Sequence, residues 1–375
     1  MGKRGVADLP LHGGKAPPWL ILRMRKLAKE IVSILIREKG EREFLRKISD
    51  PYWFQAFGCV LGYDWHSSGL TTVVTGVLRE ALNESEIGIK VAGGKGKRAL
   101  STLNDIERLG EELGLTSIKI DKLKYASRMA AKVDNVALQD GFTLYHHVIL
   151  FTEDGDWAVV QQGMNEPLKY ARRYHWLSDK VVSFVREPHL GIVSDRVQEM
   201  VLNMVDERSE GARRLSVDLI NEGPLKLRKS FRALKALNNR TLNPWLGKPS
   251  TKEYIVPTYL LMPRRIDWDL VKSVYEWRPK DYEELLSIKG VGASLIRALA
   301  LISQLIYGED PSWEDPVKYS FAFGGKDGVP YPVDIKTMDE AITFLEEAIK
   351  ATEVEREEKL KALKRLYILS KSYIP

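Results

Sequence analysis

The residues with most potential for chemistry cluster around one segment. Asp140, His146, His147, Glu153, Asp156, Gln161 and Gln162 fall within 23 positions, followed by Arg172-Arg173-Tyr174-His175-Trp176. Strand alternation puts Tyr145 and His147 on one face and His146 on the other, so the adjacent histidines cannot join one ligand set. His147 with Asp140, and with Glu153 or Gln161 nearby, would suit a divalent ion such as Mg²⁺ or Mn²⁺. A metal beside basic residues activates water for phosphodiester hydrolysis. Each histidine alone reads equally as a hydrogen-bonding or structural residue. Arg172, Arg173 and His175 are candidates to grip a phosphate.

A second polar group is His66-Ser67-Ser68-Gly69-Leu70-Thr71, several hydroxyls at a predicted helix start. It suits phosphate capture by free N–H groups, or plain N-capping by Ser68 or Thr71. Lys95, Lys97 and Arg98, set among Gly93, Gly94 and Gly96, read as a mobile loop touching a nucleic-acid backbone or as a charged surface loop. No Gly-Gly-Lys triplet has the spacing of a nucleotide-triphosphate loop.

A third is Ile288-Lys289-Gly290-Val291-Gly292-Ala293-Ser294, between apolar helices at about 280–287 and 293–307. The glycines permit a tight turn with unshielded N–H groups, Val291 anchors it, and the second helix offers its N-terminus to an anion. This segment, near 281–307, resembles a helix-hairpin-helix motif. The resemblance implies binding of phosphates without base readout, by Gly290, Val291, Gly292 and Ser294 with Lys289 and Arg297 adding charge. Downstream, Tyr331-Pro332-Val333-Asp334 resembles the catalytic segment of helix-hairpin-helix DNA glycosylases. There Asp334 would stabilise an oxocarbenium ion or activate water; as a bare residue it reads equally as a helix cap.

The elements that position these groups follow from periodicity. Helical spacing runs over 17–49, 71–83, 102–114 and 119–132. A strand, a turn at Asp154-Gly155 and a second strand make a β-hairpin between about 141 and 163. Short strands are predicted at 58–62 and 88–92. Beyond 192 the pattern predicts helices over 193–206, 210–221, 224–238, 267–277, 280–287, 293–307, 337–350 and 353–372, with a Pro-rich connector at 239–266. The expected fold is an α+β N-terminal domain with a β-hairpin (1–190), followed by a mainly α-helical DNA-binding domain (191–375) containing the helix-hairpin-helix.

Composition narrows the function. The 375 residues carry 57 Lys+Arg against 51 Asp+Glu, a net charge of +6. The excess is concentrated at 1–50 (12 against 6) and 213–240 (8 against 2), which suits a polyanion. One cysteine, Cys59, excludes an internal disulfide and any site needing several cysteines. No signal peptide and no long apolar span is read, so a cytoplasmic protein without membrane contact is expected.

Nearly the whole chain resembles an uncharacterised prokaryotic family, numbered 763 among domains of unknown function. The resemblance rests on Gly5-Val6-Ala7-Asp8-Leu9-Pro10-Leu11-His12-Gly13-Gly14-Lys15, Asp64-Trp65-His66-Ser67-Ser68-Gly69, Val159-Val160-Gln161-Gln162-Gly163, Arg173-Tyr174-His175-Trp176 and Gly324-Gly325-Lys326-Asp327-Gly328. It implies no assigned activity. The expected function is DNA processing in repair, with backbone contacts of little sequence specificity, by a metal-dependent nuclease. The alternatives are a glycosylase using Asp334 and a non-catalytic binding or annealing protein.

Overall fold

The computed structural model describes residues 18–63, 69–194, 197–236, 260–317, 335–352 and 354–373. The apolar spacing of the first segment gives α1 (Pro18–Lys39) and α2 (Glu41–Ser49), separated by Gly40 at φ 83°. Asp50 then caps α3 (Pro51–Val60) by accepting from the Trp53 amide at 2.8 Å, with Pro51 at the first helical position. The strand expected at 58–62 is therefore the end of a helix. Gly58 serves close packing: a Cβ there would stand 2.9 Å from Leu70 in the next helix, α4 (Gly69–Asn83).

β1 (Ile89–Lys95) follows, then the short α5 (Lys97–Leu100), α6 (Thr102–Glu112) and α7 (Ser117–Lys132). Gly93 and Gly94, expected in a mobile loop, lie in β1 opposite Val148 and His147. A Cβ on Gly93 would meet the His147 carbonyl oxygen at 2.3 Å, so the close strand approach requires glycine. The last turn of α7 widens into a π-helical turn, Val133–Ala137, before β2 (Leu138–Gln139).

The predicted hairpin is β3 (Thr143–Thr152) and β4 (Trp157–Asn165), turning at Asp154-Gly155 with Gly155 at φ 88°. β5 (Tyr170–Leu177) and β6 (Gly191–Val193) complete a five-stranded antiparallel sheet of order β1-β3-β4-β5-β6. The helix expected at 193–206 is absent from the described part of that segment. Positions 201–205 are buried without a break. A helix buries one stripe, whereas extended chain between two packed surfaces buries both sides. Here β7 (Leu202–Asn203) pairs with β2, and the amide of Asn203 donates to the Ser312 carbonyl at 2.9 Å.

The remainder is helical: α8 (Glu210–Asn221), α9 (Pro224–Ala236), α10 (Trp268–Trp277), α11 (Tyr282–Ser287), α12 (Ala293–Tyr307), α13 (Ile335–Ala351) and α14 (Arg356–Tyr373). The protein is thus α+β, with an antiparallel sheet and a helical C-terminal region. Each face of the sheet covers a core. One is built with α1–α4, α13 and α14 against Val91, Val148, Leu150 and Val160. The other runs from Ala92 through α6, α7 and α8–α12 to Val317, against Ile149, Val159, Tyr174 and Trp176.

Candidate nucleic-acid interface and the buried polar clusters

The register carries the polar residues in two adjacent rows across β3, β4 and β5. His147, Gln161 and Tyr174 align on the α7 side, while His146, Gln162 and Arg173 align on the α4 side. A register shift between Leu144 and His146 leaves Tyr145 out of the ladder, and its hydroxyl takes the Gln162 amide. Tyr145 therefore bonds on the His146 side and does not share the surroundings of His147.

On the α7 side a chain of hydrogen bonds starts at the helix and ends at His189. Gln161 Nε2 donates to the Ala130 carbonyl at 2.9 Å and to Asp134 Oδ2, so its Oε1 accepts from His147 Nδ1 at 2.7 Å. His147 Nε2 is then the acceptor and takes the Ser127 hydroxyl proton at 2.8 Å. Burial holds the His147 pKa below its ordinary value. Asp134, carried by the π-helical turn, also accepts from Trp176 Nε1 at 2.9 Å and from His189 Nε2. Ser127 is 3 % exposed, so the serine–histidine pair ties α7 to the sheet inside the core.

Asp140 belongs to a separate group on the same side. It accepts from Arg172 Nη1 at 2.9 Å, the Tyr174 hydroxyl at 2.7 Å and the Phe142 amide at 3.0 Å. Arg172 continues to Asp315 with two bonds of 3.0 and 2.7 Å. Arg172, Asp140 and the Asp315 side chain have no exposure. Burial alone would lower the Arg172 pKa, but Asp315 and Asp140 outweigh it and hold the guanidinium charged. Asp140 and His147, expected to share a metal, are thus committed to different partners. Glu153 sits in the exposed β3–β4 turn, where its carbonyl takes Lys119 Nζ at 2.9 Å. Among the described residues no group of three or more His, Cys, Asp and Glu side chains is arranged to hold a metal ion.

On the α4 side, Arg173 lies over the Phe54 ring at 4.5 Å and donates to Gln55 Oε1 at 3.0 Å, His175 Nε2 at 2.7 Å and Thr71 Oγ1 at 3.4 Å. Arg173, His175 and Thr71 have no exposure. Thr75 gives its proton to the Thr71 carbonyl at 2.7 Å, which leaves His146 Nε2 to donate to Thr75 Oγ1 at 2.9 Å. Burial, with His147 and Lys95 adding to it, pushes the His146 pKa down to about 3. Burial and Arg173 drive that of His175 well down. The arginines and histidine expected to grip a phosphate are interior groups here. His66, Ser67, Ser68 and Asp334 lie outside the described residues.

The exposed candidates are elsewhere. Lys95, Lys97 and Arg98 are exposed at the end of β1 and in α5, Lys95 Nζ lying 5.6 Å from the Tyr145 ring centroid. In the 288–294 segment, α11 ends at Ser287 and Gly290 turns the chain at φ 92°. Val291 is 1 % exposed, and Gly292 starts α12 without a side-chain cap. Lys289, Gly290 and Ser294 are exposed. The turn is fixed from beneath, because Lys132 Nζ donates to the Ile288 carbonyl at 3.0 Å and the Val291 carbonyl at 2.5 Å. Burial lowers the Lys132 pKa. Arg297, expected to add surface charge, points inward to Gln139 Oε1 at 2.8 Å and the Leu261 carbonyl at 2.7 Å. Other cations lie at or against the start of α10. Leu270 of α10 packs on Gly290, and two residues earlier Trp268 carries the Arg228 guanidinium at 4.8 Å. Arg264 and Arg265, just before α10, are exposed.

Asp134 was read with the polar residues around the hairpin, whereas Ser127, His189 and Asp315 were not singled out by sequence as partners of the polar clusters. The contacts of these three span 20, 55 and 143 positions, and no local spacing encodes them.

These observations describe an α+β protein whose antiparallel sheet is clad in helices on both faces and whose helical region presents a glycine turn before an uncapped helix. The chain belongs to the family described as a protein of unknown function (DUF763), which matches residues 5–333. Neither a curated protein nor a solved structure matches it. No helix among the described residues is long and apolar enough to cross a membrane.

Proposed function

We propose that the protein binds the sugar–phosphate backbone of DNA through the 288–294 turn and the N-terminus of α12, as a helix-hairpin-helix does, and acts in DNA processing. The observation that carries this reading is the start of α12. Its first N–H groups have no side-chain cap, glycines stand at 290 and 292, and Lys289 and Ser294 are exposed beside them. Arg264, Arg265 and Arg228 add positive charge at the start of α10, whose Leu270 packs on Gly290, and Arg228 on α9 belongs to the basic run read at 213–240. Contacts of this kind read no bases, so affinity falls with salt as counterions are released.

Gly292 allows a direct test. Its φ is −129°, and a Cβ there would find its nearest neighbour at 3.7 Å, so a side chain fits without strain. Fluorescence anisotropy with labelled single-stranded and duplex DNA, between about 50 and 200 mM salt, gives affinity and its salt slope. Gly292→Glu should weaken binding at least about tenfold, by placing a carboxylate where phosphates approach, with the melting temperature unchanged. Equal affinity and slope in this folded variant overturns the reading. The same DNA, incubated with Mg²⁺ or Mn²⁺ and then with alkali, separates the outcomes after binding: metal-dependent nicking for a nuclease, alkali-labile abasic sites for a glycosylase, intact DNA for a binding protein.

A further inference from the structure

A cleft of about 610 Å³ opens where the chain after β5 (182–186), α8 and the start of α11 meet. Small-molecule sites occupy roughly 300–1,000 Å³. Tyr282 forms part of the wall and is 4 % exposed, yet its hydroxyl has no hydrogen-bond partner among the described residues. Burial pushes the Tyr282 pKa up, so the hydroxyl keeps its proton and can donate. A buried donor beside a cleft calls for an acceptor from outside.

The charged part of the wall specifies the rest of the ligand. Glu210 accepts from Arg186 Nη2 at 2.8 Å, Arg213 Nη2 at 2.8 Å and Arg214 Nε at 2.9 Å, so one carboxylate answers three guanidinium groups. Arg213 is filled by the Met204 and Asp206 carbonyls. Arg186 and Arg214 are exposed and spend one nitrogen each on Glu210, which leaves donors and positive charge for an anion. Lys280 adds an exposed cation to the wall. Among the other carboxylates, Glu283 takes the Tyr125 hydroxyl and the Phe184 amide, and Asp281 caps α11. Asp218 is left. It is exposed, has no ion pair among the described residues, and lies one turn beyond Arg214 on α8, about 5–6 Å away between Cβ atoms. An anion alone would meet Asp218 and a cation alone the guanidinium groups, whereas a zwitterion satisfies both.

We propose that this cleft binds a free α-amino acid, its carboxylate on the Tyr282 hydroxyl and the Arg186 and Arg214 guanidinium groups and its ammonium on Asp218. The site is independent of the DNA-binding reading, since none of its wall belongs to the 288–294 turn.

Isothermal titration calorimetry of the full chain with each of the common L-amino acids tests the proposal. The N-acetyl and amide derivatives of any that bind each lack one of the two charges. At least one amino acid should bind saturably, with a Kd of about a millimolar or tighter, and each of its derivatives at least about tenfold more weakly. Tyr282→Phe removes a hydroxyl without an internal partner, so the melting temperature should hold while the Kd rises at least about threefold. Asp218→Asn, at an exposed position, should raise the Kd at least about fivefold. Absence of saturable binding by every amino acid, equal binding of the derivatives, or an unchanged Kd in either variant overturns the proposal.

Discussion

His146, His147 and His175 sit in the sheet interior as neutral rings, each with its pKa held below the ordinary value by burial first of all. The unfolded chain protonates its histidines near pH ~6.5, whereas His146 in the folded chain resists protonation down to about 3. Between those limits the unfolded state binds more protons. Stability is fully present above the unfolded value and is lost as pH falls, by about 1.4 kcal/mol per pH unit for each such histidine. Urea midpoints measured from neutrality downward should decline, and His146→Gln should shallow the decline by one histidine's share. A midpoint independent of pH would contradict the buried placement. Asp134 makes the complementary case: Asp134→Asn sets an amide against three donors and should cost about 2–4 kcal/mol in the same assay. At this scale sequence exposed residue types and hid their settings. Arg172-Arg173-Tyr174-His175 reads as a basic grip, but a strand covered on both faces buries all four of these side chains.

The elements were more legible where local chemistry fixes them. Asp154-Gly155 between β-rich runs defines the β3–β4 hairpin, and Ile288 to Ser294 the turn before α12, because each needs a glycine at positive φ between apolar segments. Legibility failed where packing overrules pattern. The 193–206 segment has helical spacing, but Val201, Leu202 and Asn203 are held extended by β2 and by 312–313, and Gly58 looks like a strand residue yet serves a helix crossing. The two glycines of the α12 turn should differ accordingly. Gly290 is at φ 92°, with a would-be Cβ 2.9 Å from Leu270, so Gly290→Ala should cost about 1–3 kcal/mol. Gly292→Ala should be near neutral in the same thermal melts. Lys132→Met removes the two hydrogen bonds beneath the turn and should cost a further ~1–3 kcal/mol while weakening the proposed DNA binding. Stability and affinity falling together would locate the DNA contact at this turn, and stability falling alone would place it elsewhere.

Across the whole molecule the sheet is the shared wall, and the chain crosses it repeatedly. One core takes Met24 to Val91 with Val148, Leu150, Ala158, Val160 and Leu177 from the sheet and Leu345, Ile349 and Leu366 from the last helices, and the other takes the opposite sheet face and α6–α7 together with Val201 to Val317. Position 190, where strand signals fade in the sequence, therefore has both cores on either side of it. The buried Arg172–Asp315 pair bridges the same point. A fragment ending at 190 keeps Arg172 but loses Asp315 and the part of the shared core that α8–α12 supply. Asp140 still pairs with Arg172 there, so losing Asp315 costs up to the about 3–5 kcal/mol of a broken buried pair, a large fraction of the stability of an ordinary domain. Expressed separately, 1–190 and 191–375 should each lack a cooperative thermal transition, whereas co-expressed fragments should associate and regain one. Two independent, sharp transitions would show that each half completes its own core. Asp315→Asn in the intact chain isolates the electrostatic part: with apolar packing preserved, its melting temperature should fall between those of the intact protein and the fragment.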